Sequence, residues 1–153
     1  MSNLLIVSNC PSVNTRALQQ AVLGGAQQEN FEGMQIKNME PLDAGPEEVM
    51  WADGLILGTT ENFGYMSGLV KDFLERIYYP CLEQTEALPF ALYVKGGLDG
   101  QGAKTSVERI VTGLRWKHIR EPLVLKGEFC DQFVADCREL GLTMAAGLDA
   151  GIF

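Results

Sequence analysis

The feature that most constrains the fold is an alternation of short apolar runs with segments of helical periodicity. Strand-like runs occupy residues 3–8, 34–39, 54–58, 90–94 and 122–125. Helical spacing of apolar residues occupies 14–28, 66–79, 104–114 and 131–144, and a short acidic helix starts at residue 47. Parallel strands need crossover helices, and right-handed crossovers place those helices on both faces of the sheet. The alternation therefore predicts an α/β fold with five parallel strands, and Pro80 is expected to stop the helix that starts at residue 66.

Length and composition predict a globular protein. The chain has 153 residues, 46% of them hydrophobic, and these values predict a single domain over residues 1–153. No apolar run approaches the ~18 residues that would span a membrane. The opening residues, MSNLLIV, lack the basic segment of a secretory signal. We therefore expect neither membrane insertion nor secretion.

The charge balance excludes several classes of partner. Twelve basic residues stand against 20 acidic ones, which gives a net charge of −8 and a pI near 4.6. Nucleic acids and anionic membranes bind basic surfaces, so neither is an expected partner. An anionic ligand would have to be held locally by uncharged donors.

The cysteines and the single histidine indicate no metal site. The four cysteines form no C-x-x-C pair, so zinc ribbons and redox motifs of that kind are not expected. A reducing cytoplasm is the expected location.

Ligands of open α/β sheets bind beyond the carboxyl ends of the strands, so the loops there are the candidate site. The loop after the first strand, residues 8–15, is rich in hydroxyl and amide side chains and opens a helix. The N–H groups of a helix N-terminus suit a phosphate. A plain helix cap by Ser12 or Asn14 explains the same residues equally well.

Two further loops complete the predicted crevice. Residues 59–68 combine polar side chains with Phe63 and Tyr65, which suits a flat heteroaromatic ligand or, alternatively, a cover for the sheet edge. Residues 95–102 hold four glycines, which lets backbone approach a ligand closely. Neither G-x-x-x-x-G-K-T nor G-x-G-x-x-G is present, so nucleoside triphosphate and Rossmann-type NAD sites are not expected. A ligand with a phosphate at one end and a planar ring at the other fits all three loops, and FMN is the obvious candidate.

Two segments resemble the flavodoxin-like superfamily, in particular flavodoxins and NAD(P)H-dependent FMN or quinone reductases. They are PSVNT at 11–15 and ADGLILGTTENFGYMSG at 52–68. The resemblance implies a flavodoxin-like three-layer α/β/α sandwich whose five-stranded parallel sheet has the order 2-1-3-4-5. It also implies FMN as the cofactor.

The resemblance assigns candidate residues to each part of FMN. The phosphate is expected at Ser8, Ser12, Asn14 and Thr15, with Val13 in the same turn. The isoalloxazine ring is expected at Asn62, Phe63 and Gly64, together with Thr60 and Glu61, although the Glu61 carboxylate is unusual there and could point to solvent. Gly96, Gly97 and Asp99 are expected to close over the ring. No side chain is assigned as a catalytic acid or base.

The glycine loop also bears on function. It offers Leu98 but no second aromatic residue, which would leave one face of the ring open to a nicotinamide or a quinone. This favours an FMN-dependent NAD(P)H oxidoreductase acting on a quinone or similar acceptor. A flavodoxin-type electron carrier serving a protein partner and a flavin-free scaffold are the alternatives. A receiver-like signalling domain is not favoured, because the loops after the first and third strands lack its aspartates. Tyr78 and Tyr79 are candidates for a contact in a homo-oligomer.

Overall fold

The computed structural model describes all 153 residues, from Met1 to Phe153. The strands are β1 (Ser2–Ser8), β2 (Met34–Met39), β3 (Gly54–Asn62), β4 (Tyr65–Met66), β5 (Pro89–Gly96), β6 (Lys117–His118) and β7 (Leu123–Lys126). The helices are α1 (Val13–Gln27), α2 (Pro46–Trp51), α3 (Gly68–Cys81), α4 (Gln101–Leu114) and α5 (Asp131–Ala150), with a short 3₁₀ turn at Pro41–Asp43.

The strand order confirms the predicted topology. The sheet runs β2-β1-β3-β5, and β6 and β7 both pair in parallel with β5. With β5 as the fourth predicted strand and β7 as the fifth, this is the order 2-1-3-4-5. Two short strands were not predicted: β6, and β4, which pairs antiparallel with the end of β3. Both are only two residues long, too short for a periodicity to register.

Helices cover both faces of the sheet, which confirms the three-layer sandwich. Side chains alternate along β1, so Leu4 and Ile6 pack with α1 and α5, whereas Leu5 and Val7 pack with α2, α3 and α4. All four side chains are completely buried. Because the central strands are covered by helices on both faces, their sequences are continuous apolar runs without polar alternation. None of the helices is both long enough and apolar enough to cross a membrane.

Two helix ends differ from the predictions. Pro80 lies inside α3, which ends at Cys81. A proline in the last turn removes a single backbone hydrogen bond, and the completely buried Cys81 holds that turn against the core. Helix α5 extends to Ala150 instead of ending at residue 144, because its apolar face stays buried up to Gly147 and the left-handed Gly151 then terminates it.

Candidate functional site

The N-terminus of α1 presents two backbone N–H groups that no protein atom accepts. The Ser12 Oγ accepts from the Thr15 N–H at 3.1 Å, and the Ser12 N–H donates to the Thr15 Oγ1 at 3.0 Å. This capping box satisfies two of the four N–H groups that a helix start leaves free. The N–H groups of Val13 and Asn14 remain without a partner, and both residues are exposed. Such a helix end binds a phosphate without any basic side chain, as a protein of this charge requires.

Ser8, which the resemblance assigned to the phosphate, is the last residue of β1. It is completely buried, and its Oγ is 2.8 Å from the phenolic oxygen of Tyr93. Ser8, Gly58 and Tyr93 form one row across β1, β3 and β5. A Cβ at Gly58 would collide with the Tyr93 ring, so the glycine lets Tyr93 reach across β3. Burial raises the pKa of the Tyr93 phenol above its ordinary value, so the pair stays neutral. Ser8 therefore has a structural role that the sequence did not reveal.

The predicted ring-binding loop is a β-hairpin. Strand β3 continues to Asn62 and pairs with β4, so that Asn62 lies opposite Tyr65. The two turn residues, Phe63 and Gly64, have φ values of +54° and +71°. Positive φ at both central positions is typical of a type I′ turn, whose twist matches that of the strands. The positive φ of Phe63 is a strained backbone conformation for a non-glycine residue, and its ring is fully exposed at the hairpin tip.

Glu61 connects the hairpin to helix α4. Its Oε1 accepts from the Gly100 N–H at 3.2 Å, and its Oε2 accepts from the Gly102 and Ala103 N–H groups at 3.1 and 3.3 Å. The half-buried carboxylate thus satisfies the start of α4, whose N-cap residue, Gly100, has no side chain to do so. The Glu61 carboxylate therefore points to α4, whereas the sequence had left solvent open as an alternative.

A second set of contacts fixes the hairpin to α4. The Met66 N–H donates to the Ser106 Oγ at 3.2 Å. A Cβ on Gly102 would collide with the Gly64 carbonyl, so only glycine allows the helix to approach the turn so closely. The hairpin and the start of α4 therefore form one connected unit.

The glycine loop lies between β5 and α4. Gly96 is buried next to Gly100, whereas Gly97 and Asp99 are exposed. The Asp99 Oδ1 accepts from the Gln101 N–H at 3.1 Å. With Asp99 and Glu61 both in place, the N–H groups that start α4 are satisfied, and this helix end offers no second site for a phosphate.

Two polar residues at this edge, Asn9 after β1 and Lys95 in β5, were not among the residues predicted for the site. Thr60 Oγ1 donates to the Asn62 Oδ1 at 3.2 Å and lies 3.4 Å from the Asn9 Nδ2, which joins the ends of β1 and β3. The Lys95 ammonium donates to the carbonyls of Gly96 and Gly127 at 3.2 and 2.7 Å. Lys95 is the only basic residue between 95 and 102, a signal that could have identified it.

Residues 4–130 match the model of the NADPH-dependent FMN reductase family. The chain belongs to this family. This makes it an FMN-binding flavoprotein, which confirms the predicted cofactor and sets aside the flavin-free scaffold.

Individual relatives agree with this assignment. A flavodoxin of Aquifex aeolicus is 25% identical over 114 residues, which cover 74% of this chain and 60% of that protein. The match therefore spans about three fifths of that relative. A flavodoxin structure from the domain Archaea superposes with a TM-score of 0.81 at 16% identity, covering 95% of this chain and 98% of the other. A WrbA-like flavodoxin of Agrobacterium tumefaciens gives 0.76 at 15% identity, covering 99% of each chain. At these identities the structures show the shared fold.

The residues of this flavoprotein fit FMN at both ends. The free N–H groups of Val13 and Asn14 suit its phosphate, and the exposed Phe63 and the glycine loop offer a side-chain face and open backbone to its ring. Of the predicted residues, the structure brings the α1 start, the hairpin and the glycine loop to the same edge of the sheet. Ser8 is buried and hydrogen-bonded to Tyr93, and the Glu61 carboxylate accepts hydrogen bonds from the start of α4.

Proposed function

We propose that the protein is an NAD(P)H-dependent reductase that passes reducing equivalents through FMN to a quinone or a similar small acceptor. The observation that carries the proposal is the asymmetry of the crevice. Phe63 offers an aromatic surface on the hairpin side, whereas the glycine loop carries only the exposed Leu98. A ring held between them keeps one face accessible to a second planar molecule. The description of the matching family, NADPH-dependent FMN reductase, supports the same reductase function.

The protein's own contribution is binding and orientation. The N–H groups of Val13 and Asn14 hold the phosphate, and the contacts of Glu61 with α4 hold the hairpin and the glycine loop at a constant separation. FMN, when bound, supplies the redox chemistry.

The phosphate site is tested by replacing Val13 with proline. Proline suits the first position of a helix, and the extended Ser12 (φ −140°, ψ 168°) tolerates a following proline. Val13→Pro therefore removes one N–H while preserving the helix, and Val13→Ala is the matched control. We expect FMN affinity, measured by fluorescence quenching, to fall about tenfold in the proline variant only. Equal affinities in the two variants would exclude Val13 as a phosphate donor.

The reductase activity is tested on the FMN-loaded protein. We expect steady-state oxidation of NADPH or NADH in the presence of a quinone. A flavodoxin-type carrier would instead oxidise neither dinucleotide at a useful rate, yet would pass electrons to a redox protein after chemical reduction. That outcome would replace the reductase proposal with the carrier.

A further inference from the structure

A surface groove adjoins the predicted crevice, between the hairpin strand β4 and helix α4. Its volume is about 380 Å³, and it is lined by Tyr65, Gln101, Gly102, Thr105, Ser106 and Arg109. Gln101, Thr105 and Arg109 are spaced four apart, so they lie along one face of α4. Tyr65 comes from β4 and forms the other wall.

The walls of this groove are held together by the contacts already described. Ser106 Oγ accepts from the Met66 N–H and donates to the Ala103 carbonyl, and Gly102 packs against the Gly64 backbone. These backbone-level contacts fix β4 on α4. The backbone that frames the groove is therefore held in place by these contacts.

The chemistry of the lining favours an anion. No carboxylate lines the groove, although the chain carries a net charge of −8. Arg109 is the only charged residue that lines the groove, and its exposed guanidinium takes part in no salt bridge. A free guanidinium binds phosphate through two parallel hydrogen bonds. The Thr105 hydroxyl adds an uncharged donor, whereas the Gln101 amide donates to the Asp99 carbonyl at 3.4 Å.

The aromatic wall adds a second element of recognition. The half-exposed Tyr65 ring suits a stacked planar base. By contrast, the groove between α3 and α4 is lined by Glu75 and apolar side chains, and that near the start of β2 has no charged residue. A phosphate combined with a planar base is the chemistry of a nucleotide.

The position of the groove connects it to the crevice. Gln101 opens α4 directly after the glycine loop, and at 1.5 Å per residue Arg109 lies about 12 Å further along the helix axis. The groove thus leads away from the place where the ring of FMN is expected. We propose that it binds the adenosine 2′-phosphate half of NADPH, with Arg109 on the 2′-phosphate and Tyr65 against the adenine. This proposal rests on the proposed reductase function.

The test is calorimetric binding of adenosine 2′,5′-bisphosphate and of adenosine 5′-monophosphate to the FMN-loaded protein. We expect the bisphosphate to bind at least about tenfold more tightly than the monophosphate, and Arg109→Ala to abolish this difference. Arg138→Ala is the matched control, because it removes the same charge from α5 on the opposite face of the sheet. A bisphosphate that binds no more tightly than the monophosphate, or a preference that survives Arg109→Ala, would overturn the proposal.

Kinetics separate this proposal from the reductase function. If Arg109→Ala raises the KM for NADPH but not for NADH, both proposals are supported. If NADPH is oxidised with an unchanged KM in Arg109→Ala, the reductase function stands and the groove assignment fails. If no dinucleotide is oxidised while bisphosphate binding still depends on Arg109, the groove stands as a nucleotide site and the reductase function fails.

Discussion

Replacing Glu61 tests how the hairpin and α4 are joined. In Glu61→Ala, three backbone N–H groups lose a charged acceptor, those of Gly100, Gly102 and Ala103. A hydrogen bond to a charged group contributes about 1.5–3 kcal/mol, but these three share one carboxylate that is only half-buried, so water recovers part of the loss. Favourable interaction of a carboxylate with the helix N-terminus adds about 0.3–1 kcal/mol. We expect the free energy of unfolding to fall by about 2–4 kcal/mol.

The assay is urea unfolding of the FMN-free protein, followed by circular dichroism. Glu61→Gln keeps one acceptor oxygen but turns an amide N–H₂ towards the same donors, and we expect about half the loss. Glu75→Ala is the matched control, since its exposed carboxylate pairs only with Lys71 at 3.1 Å on the surface of α3, where solvent screens the interaction. If Glu61→Ala destabilises no more than Glu75→Ala, Glu61 does not act as the cap of α4.

Three further predictions concern Gly102, Ser8 and the buried cysteines. Gly102→Ala should destabilise the protein by about 2 kcal/mol or more in urea unfolding, although alanine favours helices, because its Cβ collides with the Gly64 carbonyl; a neutral effect would contradict the close approach. Ser8→Ala should cost about 1–3 kcal/mol by leaving the Tyr93 hydroxyl unpaired, while FMN affinity changes less than about threefold; a large loss of affinity would return Ser8 to the phosphate site. Burial raises the pKa of the Cys10 and Cys137 thiols from 9.0 to about 12, so stability should be full below pH 9 and fall between pH 9 and 12, where unfolded thiols ionise and folded ones do not. A Cys10→Ala/Cys137→Ala variant should show a shallower decline in urea unfolding over that range, and an unchanged slope would contradict this account.

The sheet and its layers could be predicted because their signals are local. Two-sided burial makes residues 54–58 continuously apolar, and a helix stripe repeats within a single element, as in α3. The ends of the elements were less predictable. Whether Pro80 ends a helix depends on the burial of Cys81, and the hairpin after β3 depends on a turn whose first residue, Phe63, is not a residue type that favours positive φ.

The sequence predicted where the candidate loops meet, but it did not predict which side chain each of their residues contacts. The hydroxyl-rich loop, the aromatic segment and the glycine loop all follow strands, so the sheet topology alone brings them to one edge. Which hydroxyl faces that edge is a matter of packing. Ser12 caps α1, whereas Ser8 is bonded to Tyr93, 85 residues away.

By itself, the sequence determined the α/β architecture and the sheet edge at which the candidate loops meet, because these follow from periodicity and from the positions of the strand ends. Only the tertiary structure decided that Glu61 caps α4 and that Arg109 remains unpaired beside Tyr65. The hydrogen bonds of Glu61 join residues 39 to 42 positions apart. The neighbouring sequence is the same whether a side chain faces solvent, a ligand or a distant backbone group. Which of these the side chain contacts is decided only by how the helices and strands pack.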